Sequence, residues 1–391
     1  MTNPIRQTIG LPPTETVAFF RAKGVSILTS HWTDLWQEEH TRARTIAGVT
    51  DLAVLNRVYA ELDVVKSKGG TLAMFKAALL ADLEKAVAEG KAPARLLTDR
   101  GLATVYNTNL RMARAAGKWQ RIQELKDVAP YLMYTALLDG RTRPLHLKWN
   151  GTILPVDHPW WNTHFPPCGW NCRCSVIQLS EADITDRGLK VADAPPDDGP
   201  NHDFIRGDGI VESVPAGIDP GFAYNVGEAH LRGLSDALTA QLETMAGNNV
   251  SIAQAVLQQV VDETAFNVFL EQPGNNFPVM VLADAERALI GSESSVVTLS
   301  SDTFAKQLRE HPELVLADYR KLVELGARPE IIMRQGDLRI VLLKTDGGKW
   351  IKAIVKLTKD GQQLFMVSYQ FATAREIARL RLRNEVVRDV E

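Results

Sequence analysis

The sequence predicts a multidomain protein: a mainly α N-terminal part, an irregular Cys/His-rich central module, and an α+β C-terminal domain built on an antiparallel sheet. Three observations lead there. Apolar residues recur at three- and four-residue spacing as far as about residue 130. From residue 131 that period gives way to Pro, Gly, His and Trp around a cluster of cysteines. Near the C-terminus, β-rich runs alternate with turn signals. The 391 residues suffice for two or three domains of ordinary size. A content of 45% hydrophobic and 23% charged residues excludes a disordered chain, and a net charge of −3 excludes wholesale coating of DNA. No apolar run approaches a bilayer span and the start MTNPIRQTIGLPP lacks a signal-peptide core, so no membrane contact is expected. A cytoplasmic protein, or one assembled inside a bacterial cell, is expected.

The helical part covers residues 1–130. TETVAFFRAKG offers Thr14 as an N-cap, Glu15 in the first turn and Gly24 as a stop. TDLAVLNRVYAELDVVKSKGG has helical periodicity and ends at Gly69-Gly70. TLAMFKAALLADLEKAVAEG repeats the pattern, and DRGLATVYNTNLRMARAAGKWQRIQEL predicts two more helices around Gly117. Nothing in this part carries chemistry.

The central module, residues 131–230, holds Cys168, Cys172 and Cys174, all of the chain's cysteines. A clustered, odd set fits a metal site better than a disulfide framework. His146 lies upstream, and His158 and His164 lie between. Tetrahedral zinc takes four N or S ligands. Cys172 and Cys174, two apart on extended chain, point to one side, with Arg173 pointing away. A structural zinc would staple a segment with little core of its own; the competing reading is buried thiols and hydrogen-bonded histidines. Asp139, Arg141 and Arg143 are expected to form ion pairs that fix a turn. Trp160, Trp161 and Trp170 are expected in a small aromatic core or an assembly contact. Residues 195–225 read as an irregular connector, and a helical linker is expected over 231–275.

The last block, 276–391, reads as a separate α+β unit. SDTFAKQLREHPELVLADYRKLVELGA is predicted helical, capped by Ser301 or Asp302. PEIIMRQ, LRIVLLKT, WIKAIVKLT and QLFMVSYQ are predicted strands, separated by Gly336-Asp337, Asp346-Gly347-Gly348 and Asp360-Gly361. AREIARLRLRNEVV is a final helix.

The ordered blocks DGRTRPLH, GTILPVDHPWW, HFPPCGWNCRC and PAGIDPGFAYN resemble the phage Mu F-like head-morphogenesis family. FFRAKG, TNLRMARAAGKWQ and APYLMYTALLDGRTRP extend the resemblance over roughly residues 14–230. The resemblance implies a minor capsid protein near the portal vertex. Its partners would be portal and other capsid proteins and phage DNA, and its places the virion and, during assembly, the host bacterial cytoplasm. It makes His146, Cys172 and Cys174 the recurring ligand positions, with Cys168 and His164 competing for the fourth. Residues 290–375 resemble phage-associated nucleases of the barnase/EndoU/colicin/RelE-like fold, which implies a toxin-like RNase effector with host RNA as substrate and no cofactor.

Metal-independent RNA cleavage needs a base, an acid and cations for the phosphorane. His311 is the sole histidine of this block and titrates in the right range. Lys352 and Lys356 share a strand face, with Arg339 on the neighbouring strand. Ser368, Tyr369, Thr373 and Arg375 end the last strand and open the final helix, whose N-terminus favours an anion. The alternative is a purely structural head protein whose C-terminal domain binds portal, scaffold or DNA without catalysis. Convergence of these residues on one cleft would favour chemistry; scattering over the sheet would favour the alternative. A metalloenzyme on the central cysteines is a third reading, without an evident Glu or Asp base.

Overall fold

A computed structural model describes residues 19, 22–23, 25–262, 266–271 and 274–390. Thr14, Glu15 and Gly24 of the expected first helix lie outside the described residues. The chain divides into two compact units, Met1–His230 and Leu231–Glu391.

In the first unit, β1 (Val25–Ser26) pairs in parallel with β2 (Ala43–Arg44). α1 (Leu52–Ser67) begins where the Asp51 carboxylate accepts the amides of Ala53 and Val54, which satisfies donors the first turn leaves orphaned. It ends just before Gly69, whose φ of +73° is a left-handed stop. α2 (Leu72–Ala88) is capped by Thr71 and α3 (Asp99–Glu124) by Thr98. Leu55, Val58 and Leu62 meet Phe75, Leu79 and Leu83, with Leu102 and Tyr106 of α3 closing the core. The two helices expected around Gly117 are one. α3 runs through Gly117, which is buried beside Ala113, Ala116 and Trp119. A lone glycine costs a helix about 1 kcal/mol, and burying Trp119 against Phe165, ring centroids 4.9 Å apart, outweighs that.

The central module is more regular than its composition suggests. β3 (Tyr131–Thr135) lies between β4 (Ile153–Pro155) and β5 (Ser175–Leu179) in a three-stranded antiparallel sheet. α4 (Pro144–Trp149) starts on a proline, whose missing N–H is an orphan there in any case. α5 (Trp161–His164) follows β4. Trp149, Trp160 and Trp161 are buried; the first two pack edge-on with Tyr134 and Trp161 packs edge-on with Trp160, so two of the three singled-out tryptophans form an internal aromatic core. Trp170 remains 38% exposed, against Trp32 and Phe222. The connector, expected irregular, contains the hairpin β6 (His202–Ile205) and β7 (Val211–Val214).

The unit boundary falls within α6 (Val226–Asp262), which kinks at Asn249 (φ −160°, ψ 103°). There the Asn249 side chain accepts the amides of Ser251 and Ile252, capping a new helix. Leu242, Ala253, Leu257 and Val261 of this segment, expected as a linker, join the main core of the second unit. That unit is built on a seven-stranded sheet in the order β14-β10-β11-β12-β13-β9-β8. Its strands are β8 (Asn276–Val281), β9 (Val296–Ser300), β10 (Ile331–Arg334), β11 (Arg339–Asp346), β12 (Lys349–Leu357), β13 (Leu364–Ala372) and β14 (Glu385–Asp389). β10 to β13 are the four expected strands. Asp346 and Lys349 close a two-residue turn at Gly347 and Gly348, with φ of 55° and 81°, as a type I′ hairpin requires.

Three features depart from expectation. β8, β9 and β14 add strands, and β9 joins β13 in parallel, so the sheet is mixed. Pro278 is tolerated because β8 is an edge strand with a register shift beside it. The helix expected over 301–327 breaks into α7 (Ser301–Glu310), α8 (Leu316–Tyr319) and α9 (Leu322–Ala327). Pro312 disfavours helical geometry at His311, which sits at φ −130°, ψ 70° as the C-cap, and Ser300 caps α7, not Ser301 or Asp302. α10 (Ala374–Arg383) is the expected final helix. Ile340, Leu342, Ile351, Ala353 and Val355 face the main core, while Val341, Leu343, Ile331 and Met333 pack beneath Ile377 of α10.

A Cβ at Gly227, in the first turn of α6, would lie 2.1 Å from Trp119 Cβ. Gly227→Ala is therefore expected to destabilise the first unit by about 1–3 kcal/mol through overpacking, read as an earlier thermal transition. An unchanged transition would mean that the two helices part freely.

Candidate metal centre

α4 presents His146 from its last turn, and the extended chain before β5 presents Cys172 and Cys174. Their ligand atoms, His146 Nδ1 and the two Sγ atoms, lie within 4.8 Å of one another. Nδ1 is 3.4 Å from Cys174 Sγ and 3.8 Å from Cys172 Sγ. Zinc bond lengths of about 2.1 Å to nitrogen and 2.3 Å to sulfur place such ligand pairs roughly 3.5–3.8 Å apart in a tetrahedron. The donor set and its spacing therefore fit a metal ion.

The surroundings fix how these atoms point. His146 Nε2 donates to the Gly217 carbonyl at 2.9 Å. That hydrogen bond leaves Nδ1 with its lone pair toward the thiols, as a ligating imidazole requires. His146 stacks on Trp149, centroids 4.7 Å apart. Cys168 and Cys174 hydrogen-bond to Cys172 and pull its thiol well below its ordinary range, while burial pushes Cys168 up and donation to Cys172, together with burial, pushes Cys174 up.

The two competitors for a fourth position differ. Cys168 is fully buried, adjoins Cys172 and has its Sγ 3.3 Å from the His164 carbonyl, but it lies outside the group whose ligand atoms are within 4.8 Å of one another. His164 has both ring nitrogens engaged elsewhere, Nε2 3.0 Å from Asp198 and Nδ1 2.8 Å from the Thr163 hydroxyl, and it stacks on Trp160. Sequence reasoning missed Asp198 and the Gly217 carbonyl, because each is more than thirty residues from its partner. Around the centre, Arg173 forks onto both oxygens of Asp139 at 2.6 Å, and Arg143 reaches Asp219 at 2.7 Å. Arg141 contacts Asp139 at 3.3 Å. Arg141–Asp139 is an ion pair within the turn, as expected, whereas the Arg173–Asp139 and Arg143–Asp219 pairs tie the turn to distant stretches of chain.

The residues singled out in the C-terminal unit do not all share one face of the sheet. Lys352 pairs across the ladder with Leu343 and Gln370, Arg339 with Lys356, and Ser368 with Ile354, all on the face beneath α10. Tyr369 points to the opposite face, fully buried, and donates to the Asp318 carbonyl at 2.9 Å. His311 ends α7, which packs on that opposite face through Phe304 and Gln307, and its Nδ1 is 3.2 Å from Glu313. Lys352 is nearly buried; desolvation lowers its pKa and the Glu376 carboxylate opposes that shift. Thr373 caps α10 in a reciprocal box with Glu376, and Arg375 is exposed in its first turn. The sheet thus separates the histidine from the cations, beyond the hydrogen-bond reach that a shared proton transfer needs.

Residues 75–177 match the family model described as Phage Mu protein F like protein. The chain is 35% identical over 283 residues to the "Putative capsid assembly protein F" of Escherichia phage Mu, covering 66% of this chain and 62% of that protein. It is 34% identical over 171 residues to the Mu-like prophage FluMu F protein of Haemophilus influenzae, covering 42% of this chain and 41% of that protein. The chain thus spans less than two thirds of either relative. No solved structure matches it. The Mu F-like resemblance is supported, and the matched family segment contains His146 and all three cysteines. Among the described residues, no helix is long and apolar enough to cross a membrane.

Tyr369→Phe is expected to cost about 1 kcal/mol, the net worth of one buried hydrogen bond, because the Asp318 carbonyl keeps the Lys321 amide at 3.1 Å. Arg339→Ala, on an exposed side chain, is expected to stay within about 0.5 kcal/mol. Urea denaturation of the full chain checks both; the reverse ranking would contradict this placement.

Proposed function

We propose that this chain is a minor head protein of a Mu-like tailed phage or prophage. In this reading it acts in head assembly or DNA delivery near the portal vertex. It is made in the host cytoplasm and carried in the virion, and its partners are portal and other capsid proteins. The similarity to the Mu capsid assembly protein F, 35% identity covering 66% of this chain, carries this reading. The central module is its assembly platform, and zinc is its staple. His146, Cys172 and Cys174 hold the ion, and Cys168, which adjoins Cys172 but lies outside their 4.8 Å group, would move in as the fourth ligand in preference to His164. The metal would cross-link the chain before β5 to α4, where apolar burial is scarce. A role as catalytic zinc is disfavoured by this buried, sulfur-rich set, because a catalytic zinc keeps one position open to water.

For the C-terminal unit the observations favour a non-catalytic module that binds portal, scaffold or DNA over an RNase effector. What supports this reading is that Lys352 lies on the face beneath α10, whereas α7, which His311 ends, packs on the other. The sequence resemblance to nucleases is a likeness of fold pattern, and fold alone does not give function.

Two measurements test these statements. Elemental analysis of the reduced full chain is expected to give one zinc per chain, lost in Cys172→Ser and His146→Ala, with a lower first thermal transition after chelation. Metal-free protein of unchanged stability would remove the staple. Lysates of a Mu-like prophage deleted for this gene are expected to lack DNA-filled heads, restored by the full chain. RNA incubated with the full chain and EDTA is expected to stay intact, whereas cleavage lost in Lys352→Ala would restore the nuclease reading.

A further inference from the structure

The first unit holds a cavity of about 610 Å³ that none of the candidate metal ligands lines. That volume is in the range of small-molecule sites. Leu35, Ile46, Met112 and Phe222 line it, and Trp32 and Trp170 stand edge to face in its wall, ring centroids 6.0 Å apart. Trp170, left out of the aromatic core of the central module, belongs to this wall. Among the described lining residues there is no Asp or Glu, whereas Lys23 and Arg95 are present.

Lys23 is the group that such a wall leaves unmatched. It is 5% exposed and lines the cavity. Its Nζ lies 5.3 Å from the Phe19 ring centroid and 5.7 Å from that of Tyr59. Ring faces soften the burial of a cation without replacing a counter-charge. Among the described residues, no carboxylate and no hydrogen-bond acceptor meets this ammonium. Burial, with the Arg44 charge beside it, pulls its pKa down to about 7. The Tyr59 hydroxyl is already engaged, 3.2 Å from both the amide and the carbonyl of Thr45. A buried lysine is ordinarily paired. Thr108 of α3 adds a second unmatched group, since its hydroxyl is buried without a partner and the residue lines the same cavity.

We propose that this cavity binds an apolar monocarboxylate, its tail against Leu35, Met112 and the two tryptophans and its carboxylate against Lys23 Nζ. A cationic ligand would meet no carboxylate in the described wall. A neutral apolar ligand would leave the ammonium as it stands. A phosphate monoester is a dianion that takes several donors, and Lys23 offers one compact charge. Two sources supply an apolar carboxylate: a free fatty acid, or the end of another chain, where the terminal carboxylate adjoins an apolar side chain. The chemistry at Lys23 is the same for both. The cavity carries this inference by itself, and it holds or fails whether or not the chain acts in head assembly.

The test is isothermal titration calorimetry of the full chain with octanoate and with an N-acetylated tripeptide ending in phenylalanine, each beside its neutral amide. At least one acid is expected to bind, with its amide weaker by about tenfold or more, as the loss of one charge-assisted hydrogen bond requires. Lys23→Met keeps an apolar stem of similar length. It is expected to bring the acid down to the affinity of the amide and to leave the amide unchanged. Trp170→Ala, at an exposed position of the wall, is expected to weaken acid and amide together, and it locates the site should Lys23→Met not fold. Thermal melting reports the fold of each variant. Binding of octanoate alone assigns a free acid, and binding of the tripeptide alone a chain end. Absence of binding by both acids overturns the proposal. So do equal affinities for acid and amide, and so does a preference for the acid that survives in folded Lys23→Met.

Discussion

One imidazole ties the central module together. His146 donates to the Gly217 carbonyl on one side and offers its other nitrogen to Cys172 and Cys174 on the other. Three stretches of chain distant in sequence meet at that ring. The segments it joins are rich in Pro and Gly and supply few apolar side chains. Their geometry therefore rests on polar anchors: the Arg173–Asp139 fork, the Arg143–Asp219 pair, and Asp219 accepting the Trp170 amide at 2.7 Å. A Cβ on Gly169 would lie 2.4 Å from both Arg143 and Asp219, so glycine there lets the backbone pass beside that pair. The tryptophan cluster packs behind this frame and does not replace it.

Much of the architecture could be read directly from the residues. Asp51, Thr71 and Thr98 announce their helices because capping is local chemistry. β10 to β13 are legible because their turns carry Gly-rich pairs at the right spacing. The failures share a different cause. Gly117 reads as a breaker only in the absence of Trp119 packing, which is tertiary. β8 and β9 are apolar runs without alternation, since both of their faces are covered, and period alone cannot separate them from helix. The split of residues 301–327 was written in His311-Pro312, a local signal outweighed by the surrounding helical pattern.

The candidate sites were legible to a smaller degree. Clustered cysteines and a nearby histidine point to a metal whatever the fold. Choosing between Cys168 and His164 required knowing that Asp198 takes the imidazole, and no spacing rule places Asp198 there. In the sheet, the period of two correctly put Lys352 and Lys356 on one face. It could not place His311, which reaches the sheet through a helix.

The order of strands has a consequence for how this chain is made. β10 lies between β11 and β14, and its Ile331, Ile332 and Met333 are buried. β11 follows β10 almost at once, whereas β14 is translated only after β12, β13 and α10. A ribosome-bound chain therefore carries an apolar strand with one bare backbone edge for the whole time needed to make β11 to β13 and α10. Such an edge is a template for pairing with a neighbouring copy. Polysomes making this protein would crowd those edges together, so the interval before β14 docks is when the chain is most open to the wrong partner.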